Sequence, residues 1–214
     1  MSQRFDLSRH RREYHNDFAT VVEGLLDEEQ CGTLRRRVDW LIAEGQVRRI
    51  DHRPMGGACL HHLFEGDDVR IYLPELTAVY NASLPLVSAI TSQDVVLSPH
   101  RRSSINIRAY PAGGGAQGGH YDANGITALL YLTTNSEAPL RMDIPRVHPE
   151  HGACVEQRHY LARAGSLLVM KGRDVIHDSS PTVTERKISV VFRYGERGDA
   201  WRGDVACTHE STPR

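Results

Sequence analysis

No apolar run of about eighteen residues occurs in the 214-residue chain, which leaves no candidate for a helical membrane span. The opening stretch "MSQRFDLSRHRREYHND" has no hydrophobic core segment, so no secretory signal is expected there. Cysteine is sparse, and no CxxC pair occurs. Cys31, Cys59, Cys154 and Cys207 are scattered, and we read them as free thiols in a reducing, cytoplasmic compartment. A basic excess is also missing. With 26 Lys and Arg against 27 Asp and Glu, the net charge is −1, which disfavours a nucleic-acid partner. There is no HExxH, so the helix-borne zinc site of a metallopeptidase is excluded. Internal repeats, long linkers and low-complexity segments are absent too, and one domain over residues 1–214 is the simplest organisation.

What is present divides into two halves. Residues 1–16 are charged and read as a mobile arm or partner-facing tail. Helical support is expected over about residues 17–92. "FATVVEGLL" suggests a short strand leading into a helix that Asp27 caps and Gly45 ends. Within that helix Leu34, Val38, Leu41 and Ile42 recur at helical spacing, and Arg35, Arg36 and Arg37 fall on the solvated side. Residues 46–70 read as loop or short strand. A second helix begins near Pro74 and meets a kink signal at Pro85. From about residue 95 the period changes. Runs such as "SINIRAY", "ITALLYLT", "SLLVM" and "KISVVFRY" alternate with turn residues to about residue 195, which predicts a barrel or sandwich.

One segment, "AYPAGGGAQGGHYDANG", carries two motifs. Gly113-x-Gly115-x-x-Gly118 fits a dinucleotide fingerprint, which needs a strand before it and a helix after it to hold the pyrophosphate. The run after the segment, "ITALLYLTT", is β-branched and apolar with no helical face, so the phosphate reading fails. The glycines are expected to form a flexible turn between two strands.

His120-x-Asp122 is the second motif, one of three such spacings beside His15/Asp17 and His148/Glu150. Only His120 and Asp122 open the most apolar strand, where residues two apart face the same way. His177, ending "DVIH", can add a third ligand. Two histidines and a carboxylate leave three open positions, as in the facial triad of non-haem Fe(II) oxygenases. Downstream, "RKISVVFRY" places Lys187, Ser189, Val191 and Arg193 on one face. Two cations and a hydroxyl on a buried face call for an anionic partner, such as a dicarboxylate. In "INIRAY" Asn106, Arg108 and Tyr110 share a face. Trp40 and Trp201 read as packing residues, and His61, His62 and His100 as surface histidines.

The ordered set "NIRAYPAGGG…HYD…GSLLVMKGRDVIHDSSPTVTERKISVVFRY", about residues 100–195, resembles the iron(II)/2-oxoglutarate-dependent dioxygenases, nearest the prolyl-4-hydroxylase-like branch. The resemblance implies a mainly β fold, a double-stranded β-helix (jelly roll, cupin-like) core over about 95–195 with flanking N-terminal helices. It implies Fe(II) held by His120, Asp122 and His177, with O2 and 2-oxoglutarate as cosubstrates and ascorbate as reductant. Lys187 falls where the basic residue holds the distal carboxylate of 2-oxoglutarate, with Ser189 in the usual hydroxyl position. Arg186 faces the other way. Arg193 matches the spacing of a further cosubstrate arginine, and Tyr110 resembles a strand tyrosine that contacts 2-oxoglutarate. Asn106 and Arg108 are candidates for the substrate pocket. Asp122 argues against the halogenating branch, which lacks this carboxylate. The expected activity is hydroxylation of an unactivated C–H bond of a small molecule, such as an amino acid or natural-product intermediate. The alternatives are a peptidyl (prolyl-type) hydroxylase and a non-catalytic β-barrel binding module.

Overall fold

The computed structural model describes residues 5–52, 59–148 and 152–201. The chain begins with α1 (Leu7–Asp17), β1 (Ala19–Val22), α2 (Glu28–Ala43), the β2–β3 pair (Arg48–His52, Cys59–Phe64), α3 (Gly66–Tyr72) and α4 (Pro74–Thr91). Nine strands come next: β4 (Val95–Leu97), β5 (Ile105–Tyr110), β6 (Gly115–His120), β7 (Ile126–Tyr131), β8 (Asn135–His148), β9 (Gly152–Ala162), β10 (Leu167–Met170), β11 (Ile176–Thr182) and β12 (Lys187–Glu196). Their hydrogen-bonded order is β1-β10-β7-β12-β5-β3-β6-β11-β8-β9, with β2 on β3 and β4 on β12. Every described pairing is antiparallel, and β3 links the two halves by pairing with both β5 and β6.

Strict alternation explains why this sheet has two different faces. Ile188, Val190, Phe192 and Tyr194 of β12 join Ile126, Ala128 and Leu130 of β7 in one core, which α2, α3 and α4 cover. The intervening residues Leu129, Tyr131 and Val191 meet Leu140, Met142 and Ile144 of β8 in a second core between the halves. A wholly apolar interior on that inner side would leave no site. Lys187, Ser189 and Arg193 interrupt it, all buried on the same face of β12.

The helical layer is tied to the sheet at the polar strand. The Tyr80 hydroxyl of α4 donates to the Arg193 carbonyl at 2.6 Å and accepts from Ser98 N at 2.9 Å. The Tyr194 hydroxyl donates back to the Tyr80 carbonyl at 3.0 Å. Asp27 caps α2 in a reciprocal box with Gln30, as its position before the apolar repeat predicts. α4 starts at Pro74 and continues through Pro85 as one helix.

Several expectations need correction. The described part of the charged N-terminus is no arm: α1 starts at Leu7, ahead of the expected boundary near residue 17. Asp6 accepts from Arg9 N at 3.0 Å to start it, and Tyr14 and His10 are buried beneath it. Two buried side chains four residues apart on one face are hidden among its charges. Residues 46–70 hold two strands and α3. Trp40 is 57% exposed and packs little.

If α1 is a packed element, Tyr14→Ala should destabilise the protein by about 3 kcal/mol, the usual cost of emptying a buried aromatic site. The midpoint of urea unfolding reads this directly; a mobile arm would leave it unchanged.

Candidate metal centre

His120 is the last residue of β6 and His177 the second of β11, and the antiparallel register sets them directly opposite each other. Their ring centroids lie 4.4 Å apart. Asp122 lies just beyond β6, in the connection to β7. The two motif residues therefore do not open one strand. The chain leaves β6 after His120, and the hydrogen bond from Asp122 N to the Gly172 carbonyl, 2.9 Å, carries the carboxylate back toward the imidazoles. His120 Nε2 stands 3.8 Å from Asp122 Oδ1, and His177 Nε2 stands 3.5 Å from Asp122 Oδ2. Both distances are shorter than two metal–ligand bonds of about 2.1 Å each, so one ion can bridge them. Among the described residues this is the one cluster of three or more His, Cys, Asp or Glu with donor atoms close enough to hold a metal.

The donors are prepared by their neighbours. His120 Nδ1 lies 2.9 Å from the Gly118 carbonyl, and His177 Nδ1 lies 3.2 Å from that of Val175. A carbonyl only accepts, so each Nδ1 carries a proton and each ring presents Nε2 as the atom that can ligate. The Thr127 hydroxyl meets Asp122 Oδ2 at 2.5 Å. Asn124 Nδ2 donates to the same hydroxyl at 3.1 Å, so the Thr127 proton must point to Asp122. Gly172 closes the carboxylate's other side. A Cβ there would stand 2.4 Å from Asp122 Oδ2 and 2.7 Å from Thr127 Oγ1.

Electrostatics favour the ligating forms. The side chains of His120, Asp122 and His177 are 9%, 6% and 4% exposed. Burial opposes the Asp122 charge, but His177, His120, Arg193 and the Thr127 hydroxyl together outweigh it and hold its pKa at about 2. Burial, with His177 nearby, lowers the pKa of His120, which keeps its imidazole neutral.

The cluster opens into a cavity on the inner side of the sheet. Lys187, Ser189, Arg193, Tyr110 and Arg108 all line it. Lys187 Nζ donates to the Ala138 carbonyl at 3.1 Å and to Ser179 Oγ, and lies 5.4 Å from the centre of the Tyr110 ring. Arg193 donates to the Ser103 carbonyl at 2.6 Å. Arg186 points away and pairs with Asp39 on the surface. Asn106 does not line the cavity; it is fully buried, and its amide has no hydrogen-bond partner among the described residues.

Sequence reasoning missed several residues here. Thr127, Leu129 and Tyr131 face the cavity from β7, and the same alternation that picked out β12 would have found them. His61 is buried against Tyr110, ring centroids 5.1 Å apart, and is not the surface histidine expected of it. Gln117 also lines the cavity. The glycines around it form more than a turn: Gly113 has φ +69°, open only to a residue without a side chain at low cost, and β6 starts two residues later. Among the described residues no helix comes after them, and none of the described geometry is that of a phosphate loop.

No protein-family model matches the chain, and no curated protein matches it in sequence. Solved structures do. The epimerase SnoN, in a complex with Fe3+, alpha-ketoglutarate and nogalamycin RO, aligns with TM-score 0.71 and 13% identity over 97% of this chain and 90% of that one. An oxidoreductase of the 2OG-Fe(II) oxygenase family from Burkholderia pseudomallei gives TM-score 0.65 and 12% identity over 91% and 93%. A Pseudomonas putida prolyl-4-hydroxylase gives 0.58 and 15% over 90% and 100%. The expected jelly-roll architecture is thus the observed one, and it is the fold of 2-oxoglutarate- and Fe(II)-dependent oxygenases.

Thr127→Val, which keeps the shape and removes the hydroxyl, should weaken binding of a divalent metal about 10- to 100-fold, and Thr127→Ser should restore most of it. Gly172→Ala should weaken it further by displacing Asp122. Competition with a chelating dye measures all three.

Proposed function

We propose that this protein is an Fe(II)- and 2-oxoglutarate-dependent oxygenase that hydroxylates an unactivated C–H bond of a small molecule. One observation carries the reading. A buried two-histidine, one-carboxylate cluster opens into the same cavity as a buried lysine on the polar face of β12. The donor set fits the metal: two imidazoles that turn Nδ1 to main-chain carbonyls and present Nε2 to the site, and one carboxylate held ionised. His120, Asp122 and His177 would hold Fe(II), and three protein ligands would leave room on it for cosubstrates. When bound, the iron supplies the oxidative decarboxylation of 2-oxoglutarate to succinate and the oxidising power for the C–H bond.

The protein's own residues do the rest. Lys187 holds the distal carboxylate by a charge-assisted hydrogen bond, and the Ser189 hydroxyl and the Tyr110 phenol sit on the same wall. The Ala138 carbonyl and Ser179 Oγ already orient the ammonium, so little side-chain freedom is lost on binding. Arg193 adds to the effect of His177 and His120 in keeping Asp122 charged, and contributes a second positive group to an anion-binding cavity. Leu129, Leu140, Met170 and Val191 exclude water from the reacting centre. Arg108 lines the same cavity and is a candidate substrate contact. Ascorbate would serve as reductant in turnover without substrate.

A natural-product intermediate is the favoured substrate class, because SnoN, of similar fold, comes from nogalamycin biosynthesis. A peptidyl substrate is the second reading, supported by the prolyl-4-hydroxylase likeness. The binding-module reading is disfavoured by the complete donor set and by Lys187. Among the described residues no helix is long and apolar enough to cross a membrane.

The test is release of succinate and CO2 from 2-oxoglutarate with Fe(II), screened over amino acids, peptides and pathway intermediates. Wild type should turn over, and His120→Ala should lose activity and metal together, by about 100-fold or more. Lys187→Ala should raise the KM for 2-oxoglutarate at least about tenfold through loss of a charged hydrogen bond. Absence of any 2-oxoglutarate turnover by wild type, coupled or uncoupled, would falsify the enzyme reading.

A further inference from the structure

The pairing of β6 with β11 is irregular where it meets the metal donors. His120 pairs with His177 and Gln117 with Ser179, so β6 spends three residues where β11 spends two. On a regular strand, residues three apart face opposite ways. The extra residue is a β-bulge, a device that re-aims side chains beside functional sites. It turns Gln117 onto the same side as His120, and both line the cavity.

The orientation of the Gln117 amide is fixed by its neighbours. Arg108 Nη1 donates to Gln117 Oε1, and a guanidinium can only donate, so the amide oxygen faces Arg108. The amide nitrogen then faces His120 Nε2, 3.1 Å away. Because His120 Nδ1 carries the proton, Nε2 accepts this bond. A metal held by His120 would occupy that lone pair and so remove the acceptor. Arg108 still holds the other end of the amide, so a donor remains at the edge of the coordination sphere and needs an oxygen to meet.

The register shows which oxygen. Gln117 pairs with Ser179, and Ser179 Oγ accepts from Lys187 Nζ. Gln117 therefore stands between the metal donors and the ammonium assigned to the distal carboxylate. This is the span a bound 2-oxoglutarate must cover. We propose that Gln117 is a further cosubstrate-binding residue, whose side-chain N–H donates to an oxygen of metal-bound 2-oxoglutarate and is aimed by Arg108. The inference rests on the oxygenase reading and adds to it a second polar hold on the cosubstrate, from the β6 side.

Two affinities with different expected responses test it. The redox-inert probe Mn(II) is titrated into wild type and Gln117→Leu, and 2-oxoglutarate is then titrated into each Mn(II)-loaded protein by calorimetry. The leucine variant should bind Mn(II) at least as tightly as wild type, since it lacks the amide that competes for His120. It should bind 2-oxoglutarate about tenfold more weakly, the usual cost of one hydrogen bond to a charged group. A residue with only a packing role would weaken both or neither. Unchanged 2-oxoglutarate affinity, or any loss of Mn(II) affinity, overturns the proposal. Gln117→Met, similar in length and without the donor, repeats the comparison if the leucine variant does not fold. Failure of Mn(II)-loaded wild type to bind 2-oxoglutarate overturns the oxygenase reading as well, which separates the two failures.

Discussion

The candidate site depends on one cross-strand pair. His120 and His177 lie 57 positions apart in sequence and become neighbours only because β6 and β11 share one register. A slip of one residue would turn either imidazole to the opposite side of its strand. Everything else at the centre is arranged around that pair. Asp122 reaches it by a backbone hydrogen bond to Gly172, Thr127 fixes the carboxylate, and two main-chain carbonyls hold the imidazole protons on the far side. The register is protected in turn by the second core between the sheet halves, where Leu140 and Met142 on β8, the other neighbour of β11, pack inward.

Burial makes the polar wall of the cavity meaningful. Lys187 and Arg193 are 4% and 5% exposed, on a strand whose other face packs Ile188, Val190, Phe192 and Tyr194 into the helix-covered core. Charges taken this far from water are costly unless they are hydrogen-bonded or matched by opposite charge. Carbonyl and hydroxyl oxygens meet both cations, and the positive charge of Arg193 is among the groups that lower the Asp122 pKa. A dianionic cosubstrate, as proposed, would meet both cations in the same cavity.

Much of this is legible in sequence, for identifiable reasons. Period-two alternation exposes the two faces of β12 and β5 without knowledge of their partners, and Lys187, Ser189, Arg193, Arg108 and Tyr110 are read from it. The order of His120, Asp122, His177 and Lys187 points to one cavity because short antiparallel strands return repeatedly to the same place. Asn106 has the right phase but lies too deep, since alternation gives a side and says nothing of depth. Gln117 has the wrong phase and is brought in by a bulge, which no pattern of apolar residues announces. α1 escapes sequence reading because Tyr14 and His10 are too few to mark a face among so many charges.

The Tyr80 hydroxyl, which ties α4 to the main chain of Arg193, has a wider consequence. It makes the outer helix part of the cavity's frame. The strand that carries the cations is gripped by a phenol from outside while its side chains work inside. Redesign of the cavity for a new ligand is therefore not confined to the residues that line it. Small shifts in how α4 seats on the sheet become a remote adjustment of where the guanidinium stands. Catalytic performance and helix packing would then be selected together in any lineage built on this scaffold.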